Sequence, residues 1–146
     1  AWAGNAGHRN DHNRSIALAL LLPLLDADAD FVSLQKAMRA GDDALLDGRG
    51  ILRVSDALAD FADTAALIAQ LDLVISVDTS VAHLAGALGA PLWVMVTHSP
   101  DWRWLVDRDD SPWYPSARIF RQDRRRGWDA VVADVRTALT EFVGAA

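Results

Sequence analysis

Leu71-Asp72-Leu73-Val74-Ile75-Ser76-Val77-Asp78-Thr79-Ser80-Val81-Ala82-His83-Leu84-Ala85-Gly86-Ala87-Leu88-Gly89-Ala90-Pro91 is the stretch whose reading decides the fold. An apolar, partly β-branched run of strand length ends in three small polar residues, which lead into an Ala/Leu pattern closed by Gly and Pro. The order is strand, tight turn, helix. Gly89 suits the left-handed position just past a helix end and Pro91 cannot continue a helix, so the helix spans residues 80–88. Asp78 then stands at the carboxyl end of a buried strand, with Thr79 or Ser80 as the helix N-cap. Free backbone N–H groups and the positive end of the helix dipole converge on that turn and make it an anion site. In an open α/β sheet, that edge is where ligands bind.

Outward from this unit, strands and helices alternate at short intervals. On the amino-terminal side, residues 5–15 form a long polar connection with two His, two Arg and three Asn, followed by the apolar run Ile16 through Leu25, which reads as a helix capped by Ser15 or Asn13 and bent or ended around Pro23. Such a loop is either plain surface or, at the ligand edge of a sheet, functional. Phe31-Val32-Ser33-Leu34-Gln35-Lys36 suits a strand with Lys36 at its carboxyl end, where a lysine either contacts a ligand phosphate or is simply solvated. Residues 37–50, rich in Gly and Asp, read as loop with one helical turn, and residues 51–55 as a short strand near an edge. Residues 63–71 read as a helix with Asp63 as N-cap.

On the carboxyl-terminal side, Leu92-Trp93-Val94-Met95-Val96 is a buried strand that Thr97-His98-Ser99-Pro100 leaves. Residues 101–115 carry three of the six tryptophans and the only tyrosine among charges and prolines, too polar for core and too aromatic for a linker. Residues 117–121 resemble a last strand. In residues 128–143, Trp128, Val131, Val132, Val135, Leu139 and Phe142 share a helix face. Arg124-Arg125-Arg126 is the only low-complexity feature. The alternation predicts a parallel, doubly wound sheet whose right-handed crossovers bring the loop 5–15, Lys36, Asp63-Thr64, Asp78-Thr79-Ser80 and Thr97-His98 to one edge.

Bulk properties narrow the function. A chain of 146 residues fits one domain with a substantial core. The formal charge of −6 argues against a general nucleic-acid binder. Thirteen of the fourteen basic residues are Arg, whose planar fork suits phosphate, although a compositional bias toward Arg produces the same count. The absence of cysteine excludes disulfides and thiolate metal sites and is compatible with a cytoplasmic setting. No apolar run reaches membrane-spanning length. The opening Ala1-Trp2-Ala3-Gly4-Asn5 lacks the regions of a signal peptide and looks like a cut within or just after a strand.

Several chemistries lack their motif. There is no Gly-x-Gly-x-x-Gly, no Gly-Lys-Ser/Thr phosphate loop and no Gly-x-Ser-x-Gly elbow. Val77-Asp78-Thr79-Ser80 has Ser where an aspartate-nucleophile phosphatase has its second Asp. Asp107-Arg108-Asp109 spells Asp-x-Asp, but it follows Trp-Arg-Trp and not a buried strand end, so no metal is assigned to it. His83 lies one turn beyond Thr79 on the same side of its helix. A lone His in an apolar helix is usually a satisfied core residue. Beside Asp78, Thr79 and Ser80 at a helix start, it is better read as a donor to a diphosphate.

Residues 72–89 resemble the signature of the heptosyltransferase-like (family 9-type) glycosyltransferases, Asp-Thr-x-x-x-His-x-Ala. The likeness is closer still to bacterial proteins in which such a domain follows tetratricopeptide repeats, where residues 4–15, 32–36 and 101–115 also have counterparts. The resemblance implies a Rossmann-like three-layer sandwich with a mostly parallel sheet of about six strands, forming the carboxyl-terminal, donor-binding half of a GT-B enzyme. Residues 1–146 would be one sugar-nucleotide-binding domain of a cytoplasmic transferase. The amino-terminal half would bring the catalytic base, so the fragment alone would be inactive. It further implies diphosphate contacts at Asp78, Thr79, Ser80, His83 and, as the basic residue of the first loop, Arg14. Ser80 stands where heptosyltransferases commonly have Gly, and the Lys-x-Trp-Pro pattern around the basic residue is not present. Asn5, Lys36, Asp63, Thr64 and His98 are further candidates for nucleoside or phosphate contact. A nucleoside-diphosphate sugar would be the substrate, with no metal or other cofactor, and the partners would be the missing domain and a repeat domain. A rival reading from another class is a non-catalytic interaction domain that docks a partner through the aromatic loop at 102–114.

Overall fold

The structure is a computed structural model and describes residues 1–125 and 127–145. Arg126, the end of the arginine run, lies outside the described residues. Five parallel strands form two sheets: β1 (Val32–Ser33) with β2 (Leu52–Arg53), and β3 (Val74–Val77), β4 (Leu92–Val96) and β5 (Ala117–Arg121) in that order. Val74 is in register with Leu92, and Leu92 with Ala117. Among the described residues the strand count is therefore smaller than the six expected, for a local reason. Ala1 makes two ladder-type bonds with β3, its N–H to Ile75 O and its carbonyl from Val77 N–H. On the other side, the Gln35 side chain replaces the ladder, its Oε1 accepting from Trp2 and Ala3 N–H and its Nε2 donating to Ala3 O. A side-chain amide thus joins the two sheets where a backbone ladder was expected, and the strand predicted for residues 31–36 shortens to two residues.

Alternate strand residues feed opposite core layers, the pattern of a sheet covered on both faces. In β4, Trp93 and Met95 enter the layer under α2 (Leu18–Leu21) and α6 (Asp129–Gly144), where Val131, Val135 and Leu139 pack. Leu92, Val94 and Val96 enter the layer under α4 (Phe61–Ile68) and α5 (Ser80–Ala87), with Ile68, Ala82 and Ala85. All five β4 residues are buried, as its unbroken apolar run requires. This is the α/β three-layer arrangement that the alternation predicted.

Three local expectations change. The apolar run at 16–25 is not one helix capped by Ser15 or Asn13. A single turn, α1 (Asp11–Arg14), comes first, Ser15 is extended because its hydroxyl accepts from Gly4 N–H and donates to Asp11, and α2 then tightens into a 3₁₀ turn (Leu22–Asp26) at Pro23. The N-cap of α4 is Asp60, not Asp63. Asp60 accepts from the N–H groups of Ala62 and Asp63 while the Asp63 carboxylate reaches back to Ala59 and Asp60, a reciprocal capping box. The aromatic stretch is partly core after all, since Trp104 is fully buried. The loop of 37–50 contains one short helix, α3 (Asp42–Leu46), and Gly89 ends α5 at φ 71°, both as expected. Among the described residues, no helix is long and apolar enough to cross a membrane.

Candidate functional site

The turn between β3 and α5 is held from below. Ser76, fully buried, donates to Val77 O and lies 3.1 Å from the Thr79 hydroxyl. Thr79 is the N-cap by backbone geometry, but its side chain, engaged with Ser76, caps no N–H of the helix. The leading N–H groups of α5 therefore open into a cleft of about 570 Å³ lined by Thr79, Ser80 and Val81. Asp78, His83, Arg14, Asn5, Lys36 and Arg39 also line it. An uncapped helix start carries unsatisfied donors and the positive end of the dipole, so the cleft favours an anion.

His83 projects from the second turn of α5 and is held at both ring nitrogens and on one ring face. Its Nε2 lies 3.3 Å from Asp78 Oδ1 and its Nδ1 lies 3.1 Å from the Tyr114 hydroxyl. Its ring stacks on Trp104 at 5.3 Å and 18°. Tyr114 reaches the helix only because residue 86 has no side chain. The imidazole is still 31% exposed, at the cleft and not enclosed in hydrocarbon.

Burial works to raise the Asp78 carboxyl, but the His83 and Trp104 side chains and the nearby Arg14 charge outweigh it and hold the group below the usual carboxylate range. The Trp104 indole N–H, buried, makes no hydrogen bond of ordinary geometry, so its effect on Asp78 is that of a nearby dipole. Arg14 donates to Asp78 O at 3.2 Å. The Arg14 guanidinium lies flat against Gly4, where a Cβ would come within 2.6 Å of its Nη2. Behind it, buried Asp11 accepts from Ser15 and Arg39 and lies 3.9 Å from Arg14 Nε. Burial raises the Asp11 carboxyl, and Ser15, Arg39 and Arg14 together lower it by more.

The cleft thus gathers Asp78, Thr79, Ser80, His83, Arg14, Asn5 and Lys36. Lys36, though at the wall, spends its ammonium on the carbonyls of Ser55 and Leu58. The Asn5 side chain accepts from Gly7 N–H. Asp63 and Thr64 do not line the cleft and serve the start of α4, Thr64 donating to Asp60 O. His98, just past β4, does not line it either. Three residues escaped the sequence reading. Arg39 lies three positions past Lys36 and is reachable by the same strand-end rule. Trp104 and Tyr114 stand in a stretch flagged for its aromatics, without a sign of which rings turn inward.

A profile of glycosyltransferase family 9 (heptosyltransferase) matches residues 58–134, just over half of the chain and including the β3–α5 turn. The chain is also 40% identical over 87 residues to Protein FlbA of Caulobacter vibrioides (strain ATCC 19089 / CIP 103742 / CB 15). That match takes in 60% of this chain and 14% of FlbA. No solved structure matches.

Proposed function

The chain belongs to glycosyltransferase family 9 (heptosyltransferase), and from that membership we propose that its cleft is the donor side of a glycosyltransferase site, binding a nucleoside-diphosphate sugar. One observation supports this most: the uncapped start of α5 opens into the same cleft as Arg14, Arg39 and His83. As the bond between sugar and diphosphate breaks, negative charge builds on the leaving oxygen. Donors already oriented by the fold stabilise that charge without reorganising. In this reading the N–H groups at Ser80 and Val81, the Ser80 hydroxyl and Arg14 face the phosphoryl oxygens; His83 adds an Nε2–H shared with Asp78, and Thr79, whose hydroxyl is held by Ser76, shapes the turn at the helix start. Asp78, itself anionic, acts by anchoring His83 and Arg14. Asn5 and Arg39 extend the contact along the cleft, and the donor is the substrate, with no resident cofactor or metal invoked.

The base that activates the acceptor belongs, in this proposal, to an amino-terminal GT-B domain of a longer bacterial, cytoplasmic chain that also carries tetratricopeptide repeats. The small share of FlbA matched here, 14%, is in keeping with a module of something larger. This chain alone then binds donor and transfers little. Calorimetry with UDP, GDP, ADP and dTDP at millimolar concentration tests the proposal. Binding of at least one, lost in Asp78→Ala and His83→Ala, supports it; no binding of any, or binding indifferent to both substitutions, overturns it.

A second reading draws on the surface beside the site. Trp102 and Trp113 pack edge to face at 5.3 Å and remain 59% and 55% exposed, with Arg103 over Trp102. Large exposed aromatics beside Arg are the composition of a protein-binding hot spot. A domain that retained this pair as a contact while losing donor binding would be an interaction module, and the calorimetry separates the two.

A further inference from the structure

His83 is bracketed by two oxygens of different kinds, and that asymmetry sets where its proton sits. Asp78, kept ionised, is an acceptor only, so the nitrogen that meets it at 3.3 Å must carry hydrogen. In the neutral imidazole, the other nitrogen, Nδ1, then offers a lone pair, and the group 3.1 Å from it is the Tyr114 hydroxyl, which can donate. We propose that Tyr114 is a positioning residue that fixes the His83 proton on Nε2, so that the imidazole presents an N–H and not a lone pair beside Asp78 in the wall of the cleft.

The packing supports this assignment independently of the hydrogen bonds. Tyr114 does not line the cleft, whereas His83 and Asp78 do, so its hydroxyl acts through the imidazole and not on a ligand directly. Its ring is seated on residue 86 of α5, one helical turn beyond His83, and a Cβ there would fall 2.5 Å from Tyr114 Cγ. Trp104, fully buried, stacks on the imidazole and lies 5.7 Å from the Tyr114 ring, so neither ring can swing without disturbing the core layer under α5. An imidazole free to exchange tautomers would spend part of its time with a lone pair turned toward the Asp78 carboxylate, which repels it and loosens the imidazole in the cleft wall. A hydroxyl held at Nδ1 removes that state. The proposal rests on the donor-binding reading only for the identity of the anion.

The test uses Tyr114→Phe, which keeps the ring on residue 86 and deletes the hydroxyl alone, with inorganic pyrophosphate as the probe. Long-range ¹H–¹⁵N spectra of the histidine ring in the unaltered protein should show a protonated Nε2 and a hydrogen-bonded Nδ1. In the variant the Nδ1 resonance should move downfield to that of an unbonded ring nitrogen, or the other tautomer should appear, and pyrophosphate should bind about fivefold more weakly, the loss of one hydrogen bond. A proton on Nδ1 in the unaltered protein, or ring nitrogens that do not respond to Tyr114→Phe, overturns the proposal. Where the variant fails to fold, the Nδ1 resonance of the unaltered protein still decides: a hydrogen-bonded Nδ1 upholds the Tyr114 contact, and an unbonded Nδ1 overturns the proposal. Ring nitrogens as expected but no pyrophosphate binding to the unaltered protein upholds the placement of the proton and overturns the donor reading instead.

Discussion

Gly86 and Tyr114 meet so closely that residue 86 has no room for a side chain: a Cβ there would lie 2.5 Å from Cγ of the tyrosine ring and 2.7 Å from Cδ1. Near the carboxyl end of α5, a glycine costs up to about 1 kcal/mol of helix propensity relative to alanine, so Gly86→Ala would stabilise an isolated helix. Overpacking reverses that. The ring sits against Trp104 and His83 and has nowhere to retreat. Gly86→Ala should destabilise the protein by roughly 1–3 kcal/mol in thermal or denaturant unfolding. Adding Tyr114→Ala to it should cost less than the sum of the two single changes, because the clash is then gone.

Gly4→Ala has the opposite signature. The atoms it would strike belong to the end of the Arg14 side chain, which is flexible and can move aside. Stability should change by less than about 1 kcal/mol, while Arg14 loses its hold on Asp78 O and its place in the cleft. The check is an unchanged melting temperature together with nucleoside-diphosphate affinity weakened about fivefold, the worth of one hydrogen bond.

Asp78 predicts an acid dependence with a definite sign. Its carboxyl is held below the usual range in the folded protein by His83, Trp104 and Arg14 despite burial. A depressed folded-state value favours the fold above the unfolded carboxylate value near 4, and that contribution disappears as pH falls through the folded value. Asp78→Asn should be less stable at neutral pH and should lose less stability than the unaltered protein as pH is lowered below about 4. Denaturant midpoints measured across that window show this as two curves that converge toward acid. Parallel curves would mean that Asp78 is not the group responsible.

Arg39 is the cleft residue that sequence reasoning passed over, and it holds two things at once. Its guanidinium bonds Gly4 O and the buried Asp11 carboxylate. Arg39→Ala leaves Asp11 with Ser15 and the more distant Arg14, and removing one partner of a buried charge costs about 3–5 kcal/mol at most, with less expected here because Arg39 is partly exposed. The expected outcome is a loss of stability that Asp11→Asn added to it partly restores, since no unpaired charge then remains; equal or greater loss in the double variant would contradict this.

These residues show why some of the site was legible in advance and some was not. The β3–α5 turn was readable because each feature is local: a β-branched run, small polar residues, and a Gly-Ala-Pro stop fix strand, cap and helix end within twenty positions. The strand-end rule also found Lys36 as a wall residue, and the family resemblance singled out Arg14, but neither showed that Lys36 spends its charge on Ser55 and Leu58, because that bond spans 22 residues and depends on how loop 55–58 folds back. Asp60 and Asp63 are both credible caps at sequence level, and only the reciprocal bonds decide between them. The split of the sheet could not be read because Gln35 acts there through a side-chain amide, which has no periodicity. One sequence signal for the Tyr114 seat did exist: a second glycine three residues ahead of the Gly89 stop, within the last turn of an otherwise good helix, commonly marks close packing.

The most direct test of the central claim, that the open start of α5 cradles a donor diphosphate, is a ¹H–¹⁵N titration of the protein with UDP, GDP, ADP and dTDP. The account predicts that at least one of them shifts the amides of Ser80 and Val81 most strongly, together with Gly4 and Asn5 across the cleft. Amides at Ser80 and Val81 that stay in place with all four at millimolar concentration, or shifts confined to the Trp102–Trp113 surface, would contradict it.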